Sequence, residues 1–270
     1  MTDEYNDQQD EMADDEGLSH TDKIVALATE PGAMFTSAAK YPVNTVDWML
    51  PIFIVLLLTI ISSALILTVP EIKLEIKEKS RVSMEKRFEE QLKKGASAEE
   101  IAKAREMGEK QLDYIGSPTG LIFQSIAILI GGFVVFLIIV GFFHLFFKLV
   151  FQTEIEFKQS LFIVGISEYV SAINIIIFAI VSLFAKRAFE GLNGTILFTA
   201  EKHSFAYFFL SKIDPFSIVS YLLIGIGFAK FAKSDNTNKY IIGALGSWFL
   251  IGFIWFLAAK YVPFLAAFSS

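Results

Sequence analysis

The chain has 270 residues, of which 54% are hydrophobic and 19% are charged, and its formal net charge is -6. Soluble domains carry about 25% charged residues, so this composition favours a membrane protein. No cysteine is present, which excludes disulfides, thiolate metal sites and cysteine nucleophiles. The acidic balance, without a concentrated basic patch, argues against nucleic-acid binding.

The first 47 residues divide into two segments of different character. Residues 1–22 carry nine acidic side chains and no lysine or arginine, which predicts a disordered acidic tail because few apolar groups could offset the loss of chain entropy. Residues 23–47 repeat apolar side chains at helical spacing, which predicts an amphipathic segment. Two interpretations of it stay open: a helix packed on the bundle, or a helix lying in the headgroup layer.

Long apolar runs are the strongest signal in the chain. The first run, residues 48–69, contains no charged side chain. At 1.5 Å per residue it is long enough to cross a hydrocarbon core about 30 Å thick. Four more runs follow, and the fourth of the five begins with Asp214 and Pro215, which suit the N-cap and the first position of a helix. The sequence therefore predicts an all-α membrane protein, a five-helix transmembrane bundle with spans at 48–69, 121–147, 161–185, 214–232 and 241–259.

Residues 70–119, between the first and second spans, are highly charged. Residues 71–113 hold 11 basic and 11 acidic side chains, which suits solvated helices with salt bridges between them. Gly95 interrupts the helical pattern, and Ser97 with Glu100 has the spacing of a capping box for a second helix. The segment is predicted to be a soluble helical hairpin, after which residues 120–268 hold spans two to five.

Glu168 and His144 are the candidate intramembrane polar pair. An ionisable group deep in a span is costly and is by default a candidate functional group. If spans two and three are antiparallel and joined near 154–155, the two side chains differ in depth by about 5 Å, which permits a hydrogen bond. The alternative is that Glu168 is protonated or paired and only holds two helices together.

Enzyme signatures are absent from the sequence. There is no HExxH, GxSxG or phosphate-cradling loop, and the three histidines, His20, His144 and His203, form no ligand-spaced pair. We therefore predict no catalytic residue, no cofactor site and no metal site, and a protein that is not an enzyme.

Three stretches carry a resemblance to a known family. They are KIVALATEPGAMF…YPVNTVDWMLPIFIVLLL at 23–58, GGFVVFLIIVGFFHLFFKL at 131–149 and FLSKIDPFSIVSYLLIGIGFAKFAKSDNTNK at 209–239. Over about residues 23–268 the chain resembles a bacterial-type member of the Yip (Ypt/Rab-interacting protein) domain family. The resemblance implies a five-helix bundle with a cytoplasmic N-terminus and no established common reaction. Eukaryotic relatives are tied to Rab-type GTPases, but the Asp-Leu-Tyr-Gly-Pro-type segment of those relatives is missing here, which argues against GTPase contact.

Sidedness depends on which indicator is followed. Lysine and arginine in the loops, counted by the positive-inside rule, place the N-terminus outside because the hairpin dominates the count. The resemblance implies the opposite, and we follow it: a multi-pass protein of the bacterial cytoplasmic (inner) membrane with its N-terminus in the cytoplasm.

Two functional classes fit the sequence. The first is a non-enzymatic protein of the lipid bilayer that organises membrane or binds protein partners through the acidic tail or the 71–113 hairpin. The second is a small proton- or ion-coupled transporter or channel that uses Glu168 and His144. The first is favoured because the spans carry few polar residues, whereas a solute path normally needs several.

Overall fold

The computed structural model describes residues 17–198, 200–201 and 204–261. Within these ranges the regular secondary structure is entirely helical, which confirms the all-α prediction. Their bounds are α1 His20–Thr29, α2 Pro31–Ala38, α3 Val46–Ile66, α4 Pro70–Lys93, α5 Ala98–Tyr114, α6 Pro118–Val150, α7 Phe157–Ala185, α8 Phe205–Lys212, α9 Pro215–Phe231 and α10 Thr237–Tyr261. A 3-10 turn, Gly194–Ile196, precedes α8.

The predicted spans correspond to helices of the structure, with one change. Among the described residues, α3, α6, α7 and α10 are each long and apolar enough to cross a membrane. The fourth predicted span, 214–232, is only the 17-residue α9, which at about 25 Å is short for a 30 Å core. Helix α9 is long and apolar enough for a membrane span only when it is taken together with α8. The axes of these two helices are bent by 62° relative to each other.

Contacts along α10 show how the bent pair packs. The Lys260 ammonium lies 4.3 Å from the Phe205 ring at the start of α8. Farther along, the Tyr221 ring stacks on Trp248 at 5.0 Å. A Cβ added to Gly225, near the end of α9, would lie 2.6 Å from the Cα of Ile241 near the start of α10. The pair thus runs antiparallel to α10 over its whole length, and the described part of the chain has four candidate spans, or five if the bent pair is one span.

The helices form two compact units. The first consists, in the described part of the chain, of residues 17–55 and 135–172 with the chain from 193 to 261. Its centre is the first half of α7, where residues 160–167 are all buried. A helix buried on every side is surrounded by other elements, and Gly165 shows how closely: an added Cβ would lie 2.6 Å from the Cβ of Trp48 on α3.

The segment predicted to be amphipathic folds as α1 and α2. Met34 and Phe35 on α2 are fully buried. An added Cβ on Gly227 of α9 would touch the Phe35 ring at 3.0 Å, so α2 packs on the bundle. Helix α1 begins at His20, inside the predicted tail, because Ser19 caps it by accepting a hydrogen bond from the Asp22 amide. Residues 1–16 of that tail lie outside the described residues.

The second unit consists of residues 56–134 and 173–192 and contains the hairpin. Helices α4 and α5 are separated at Gly95, whose φ is +94°, and the capping box of Ser97 and Glu100 is present, as predicted. Arg105 on α5 donates to Glu85 on α4 at 2.7 Å. The 71–113 segment is thus the helical hairpin that its charge pattern indicated.

The base of the hairpin is fixed to the segment that follows α7. Lys186 pairs with Glu71 at 2.8 Å, the Ala188 amide donates to Glu75 at 2.9 Å, and Lys79 donates to the Ala188 carbonyl at 3.2 Å. On the same helix, Ile72 is fully buried in an apolar cluster with buried residues of α3 and α7. The hairpin therefore has a defined attachment rather than a free hinge.

Acid is expected to loosen this attachment. Partial burial alone would raise the pKa of the Glu75 carboxyl, but the hydrogen bonds from Lys79 and the Ala188 amide outweigh it and hold the pKa below its ordinary value. A carboxyl with a depressed pKa in the folded protein contributes its stabilisation above the ordinary value of 4.5 and loses it as the pH falls through the depressed one.

We expect the exchange protection of the Ala188 amide, corrected for intrinsic rate, to be constant above pH 5. Under more acidic conditions this protection should fall by about tenfold, because the amide then loses one charge-assisted hydrogen bond. Hydrogen exchange read by mass spectrometry on the 186–192 peptide measures it. In Glu75→Gln the protection should be lower and independent of pH; an unchanged acid-sensitive profile in that variant would show that another group titrates.

Candidate functional site

The structure does not bring the predicted pair together. The Nδ1 atom of His144 lies 3.0 Å from Ser160 Oγ, while Glu168 hydrogen-bonds to Ser171 on its own helix. Ser160 and Glu168 are eight residues apart on α7, about 12 Å along its axis. His144 therefore lies roughly two turns from Glu168.

The connection between α6 and α7 explains this difference in register. Helix α6 ends at Val150 and α7 begins at Phe157, and the residues between them are not helical. Gln152 has a φ of +55°, so the chain turns there. The predicted depth difference of about 5 Å requires both helices to extend to residues 154–155. In the structure, six non-helical residues, 151–156, join them instead.

Two polar side chains near the middle of α7, Ser167 and Glu168, have hydrogen-bond partners on the same helix. Ser167 Oγ donates to the Ile163 carbonyl at 2.8 Å, and Ser171 is the partner of Glu168. Glu168 also lies within electrostatic range of the Tyr221 hydroxyl on α9, as does Asp214. These surroundings suit the structural interpretation of Glu168; its functional role stays a prediction.

A second polar cluster, which we call the Asp47 cluster, consists of His20, Lys23, Asp47 and Tyr169. Asp47 is only 2% exposed, and its carboxylate accepts from Lys23 Nζ at 2.5 Å and lies 2.7 Å from His20 Nδ1. The other ring nitrogen, Nε2, lies 2.7 Å from the Tyr169 hydroxyl. The four side chains connect α1 and α3 with the central helix α7.

Helix capping places these groups. The Asn44 side chain accepts from the Val46 amide at 3.0 Å and starts α3, so Asp47 occupies the first turn, where the helix dipole favours a carboxylate. On α1, His20 and Lys23 are three residues apart and share one face. Local capping on two helices thus directs both basic groups to one buried acid.

A cavity of about 200 Å³ adjoins the cluster. Lys23 and Asp47 are part of its wall, together with the polar side chains of Tyr41 and Asn44. At about 30 Å³ per water molecule, it has room for a few waters or a small polar ligand.

A scan against family models matches the Yip1 domain over residues 26–258. The chain belongs to the Yip1 domain family. No curated protein and no solved structure matches it. The match begins before α3 and ends within α10, so this Yip1-family chain is a multi-pass integral membrane protein, as the apolar helices independently indicate.

The Asp47 cluster straddles the start of the Yip1 match. Asp47 and Tyr169 lie inside it, whereas His20 and Lys23 precede residue 26. Sequence reasoning missed the cluster, since its members are as far as 149 residues apart. One signal was available: Asp47 is the charged residue immediately before the first apolar run. In the described part of this Yip1-family chain, no group of three or more His, Asp or Glu side chains could hold a metal ion.

Proposed function

We propose that this Yip1-family protein is a non-enzymatic membrane protein that binds partner proteins, chiefly through the α4–α5 hairpin and also through the acidic residues 1–22. The observation that carries the proposal is the fixed base of the hairpin, which presents a charged two-helix surface in one orientation. Surface ion pairs contribute only about 0–1 kcal/mol each, so their value here is in orientation and recognition rather than stability.

Exposed apolar side chains on the hairpin supply anchors for a partner. Leu74 is 68% exposed and Met107 is 60% exposed, on helices otherwise rich in charge. Apolar anchors ringed by charged groups are typical of specific protein interfaces. The acidic tail and the hairpin flank one span, so they face opposite sides of the membrane and bind different partners.

The packing at the centre of the bundle supports a binding role over transport. Residues 160–167 of α7 are buried without interruption. Ser160 and Ser167, the polar residues in that stretch, are both hydrogen-bonded within the protein. We further propose that the N-terminus is cytoplasmic and that the protein resides in a bacterial cytoplasmic membrane, which puts the hairpin outside the cytoplasm.

Cross-linking in native membranes, read by mass spectrometry, tests the hairpin proposal. We expect partner peptides linked to residues 71–113 in the wild type and an approximately tenfold loss of them in Leu74→Asn/Met107→Asn, since buried anchors dominate interface energies. Val25→Asn, which changes an equally exposed apolar side chain on α1, is the matched control and should keep the links. Links to partners that are equal in all three proteins would contradict the proposal.

Transport is the second candidate function, and the break in the fourth span favours it. The break at residues 213–214 places Lys212 and Asp214 beside each other, and Tyr221 lies within range of both Asp214 and Glu168. Discontinuous helices with charged groups at the break line the sites of many transporters.

Ion and proton flux into liposomes separates the two functions. We expect the purified protein to give no flux above protein-free liposomes, and Glu168→Gln to fold as the wild type does. Glu154→Gln, in an exposed connection, is the matched control. Flux that is present in the wild type and in Glu154→Gln but abolished in Glu168→Gln would establish transport and refute the binding proposal.

A further inference from the structure

The second unit has a large, partly open cavity that the proposed function does not use. Its volume is about 560 Å³, within the range of about 300–1,000 Å³ that is typical of small-molecule sites. Most of the wall is apolar and includes Ile66, Ile76, Phe123, Phe178 and Phe189.

The cavity lies at the level where three spans end. Ile66 is the last residue of α3, Gly120 is in the first turn of α6, and Ser182 is in the last turn of α7. The hairpin contributes Ile76 and Tyr114 to the wall. The cavity is therefore an apolar space at the boundary between hydrocarbon and headgroups, bounded by the hairpin base.

One polar group in the wall lacks a partner. Ser182 is 0% exposed, and its Oγ has no hydrogen-bond partner among the described residues. A helical serine ordinarily donates to a carbonyl one turn earlier, and a buried hydroxyl without a bond is costly. By contrast, Ser63 and Gln124 in the same wall bond to each other at 2.9 Å. Ser182 is thus available to a ligand.

Two basic side chains rest against the same wall. Lys73 donates to the carbonyl of Gly116 at 3.1 Å, which leaves other ammonium protons free to bond. The Arg187 guanidinium lies 5.6 Å from the centroid of the Phe189 ring. Arg187 is close to Ser182 as well, because its amide donates to the Ser182 carbonyl at 3.4 Å where Lys186, with a φ of +51°, ends α7.

We propose that this cavity binds an acyl chain of an anionic phospholipid from the surrounding bilayer. The chain fills the apolar space, an ester carbonyl accepts a hydrogen bond from Ser182, and the phosphate faces Lys73 and Arg187. The bilayer supplies, at the depth of the cavity, a ligand that combines a long apolar part with an anionic head.

Photolabelling of the full chain in nanodiscs tests the proposal without any change to the protein. The probes are phosphatidylglycerol and phosphatidylcholine, each with a diazirine in the acyl chain, and labelled peptides are mapped by mass spectrometry. We expect phosphatidylglycerol to label peptides from 111–124 and 178–189 several-fold more than phosphatidylcholine does. Equal labelling by the two lipids, or labels confined to the exposed side chains of Val134, Val135 and Ile138, would overturn the proposal.

Variants test the headgroup contact separately. Lys73→Gln/Arg187→Gln should reduce the labelling of 178–189 by phosphatidylglycerol to the phosphatidylcholine level. Lys93→Gln/Lys94→Gln, at the exposed hairpin tip, removes the same charge and should leave it unchanged. Undiminished labelling in the cavity variant would refute the assignment of the two cations; if that variant does not fold, the wild-type comparison alone decides.

Discussion

Replacing Asp47 with alanine is expected to lower the free energy of unfolding by about 3–5 kcal/mol, the cost of breaking a buried ion pair on one side. Asp47 is the acceptor for Lys23 and the partner of His20, so its loss leaves a poorly solvated ammonium without a counter-charge. The midpoint of thermal unfolding in a fixed detergent measures the change. Asp235→Ala, which removes an exposed carboxylate, should stay within about 0.5 kcal/mol of the wild type.

A double-variant cycle shows whether the charge pair itself is responsible. Lys23→Met alone should also destabilise, because it leaves the Asp47 carboxylate buried without a cation. The loss of unfolding free energy in the double variant Lys23→Met/Asp47→Asn should be at least about 1 kcal/mol smaller than the sum of the losses in Lys23→Met and Asp47→Asn, as expected for residues in direct contact. Strictly additive effects would show that the two side chains do not form the pair seen in the structure.

Gly225→Ala is expected to destabilise the protein by about 2–3 kcal/mol, the cost of overpacking a tight contact. The added Cβ would lie 2.6 Å from the Cα and 2.9 Å from the backbone nitrogen of Ile241. Because these are backbone atoms, no change of rotamer relieves the clash, and α9 must move away from α10.

Gly246→Ala provides the matched control in the same helix pair. A Cβ at Gly246 would meet nothing within 4 Å. Alanine is favoured over glycine in a helix by about 1 kcal/mol, so this variant should be neutral or slightly stabilised. Thermal midpoints of both variants, measured side by side, check the prediction. Equal loss in the two would mean that α9 and α10 do not approach closely at Gly225.

The spans and the hairpin could be predicted because their causes are local. Long apolar runs with at most one charged side chain identify α3, α6, α7 and α10 whatever their neighbours. The caps at Ser97 and Asp214 were predicted correctly because a cap is formed by residues within one turn of each other. Residues 70–119 were assigned to a hairpin by the same short-range signals.

The bend in the fourth span could not be read in the same way. The Asp214 signal marks where α9 begins, but nothing in 205–212 shows that α8 continues the same crossing. That continuity follows from packing along α10 and from the Gly194 amide, which donates to the Ile213 carbonyl at the break at 3.1 Å. An added Cβ on Gly194 would lie 2.9 Å from the Leu210 carbonyl oxygen, so this close approach requires glycine.

The polar sites show the limit of sequence reasoning more sharply. Glu168 and His144 were conspicuous as polar residues in apolar runs, but their separation depended on the conformation of the connection between α6 and α7. The Asp47 cluster brings together residues from three helices, and its geometry depends on how α1 folds back on α3 and α7. Both features are set by tertiary packing, to which helix periodicity is insensitive.

The central structural claim is that five spans cross the membrane, the fourth of them broken. Since the chain has no cysteine, single cysteines can be placed at Glu154, Glu201 and Asp235 and labelled with a membrane-impermeant maleimide in sealed vesicles of each orientation. Five spans predict that Glu154→Cys and Asp235→Cys react from one side and Glu201→Cys from the other. Reaction of Asp235→Cys from the same side as Glu201→Cys would show that α8 and α9 do not cross the membrane, and would contradict the five-span bundle.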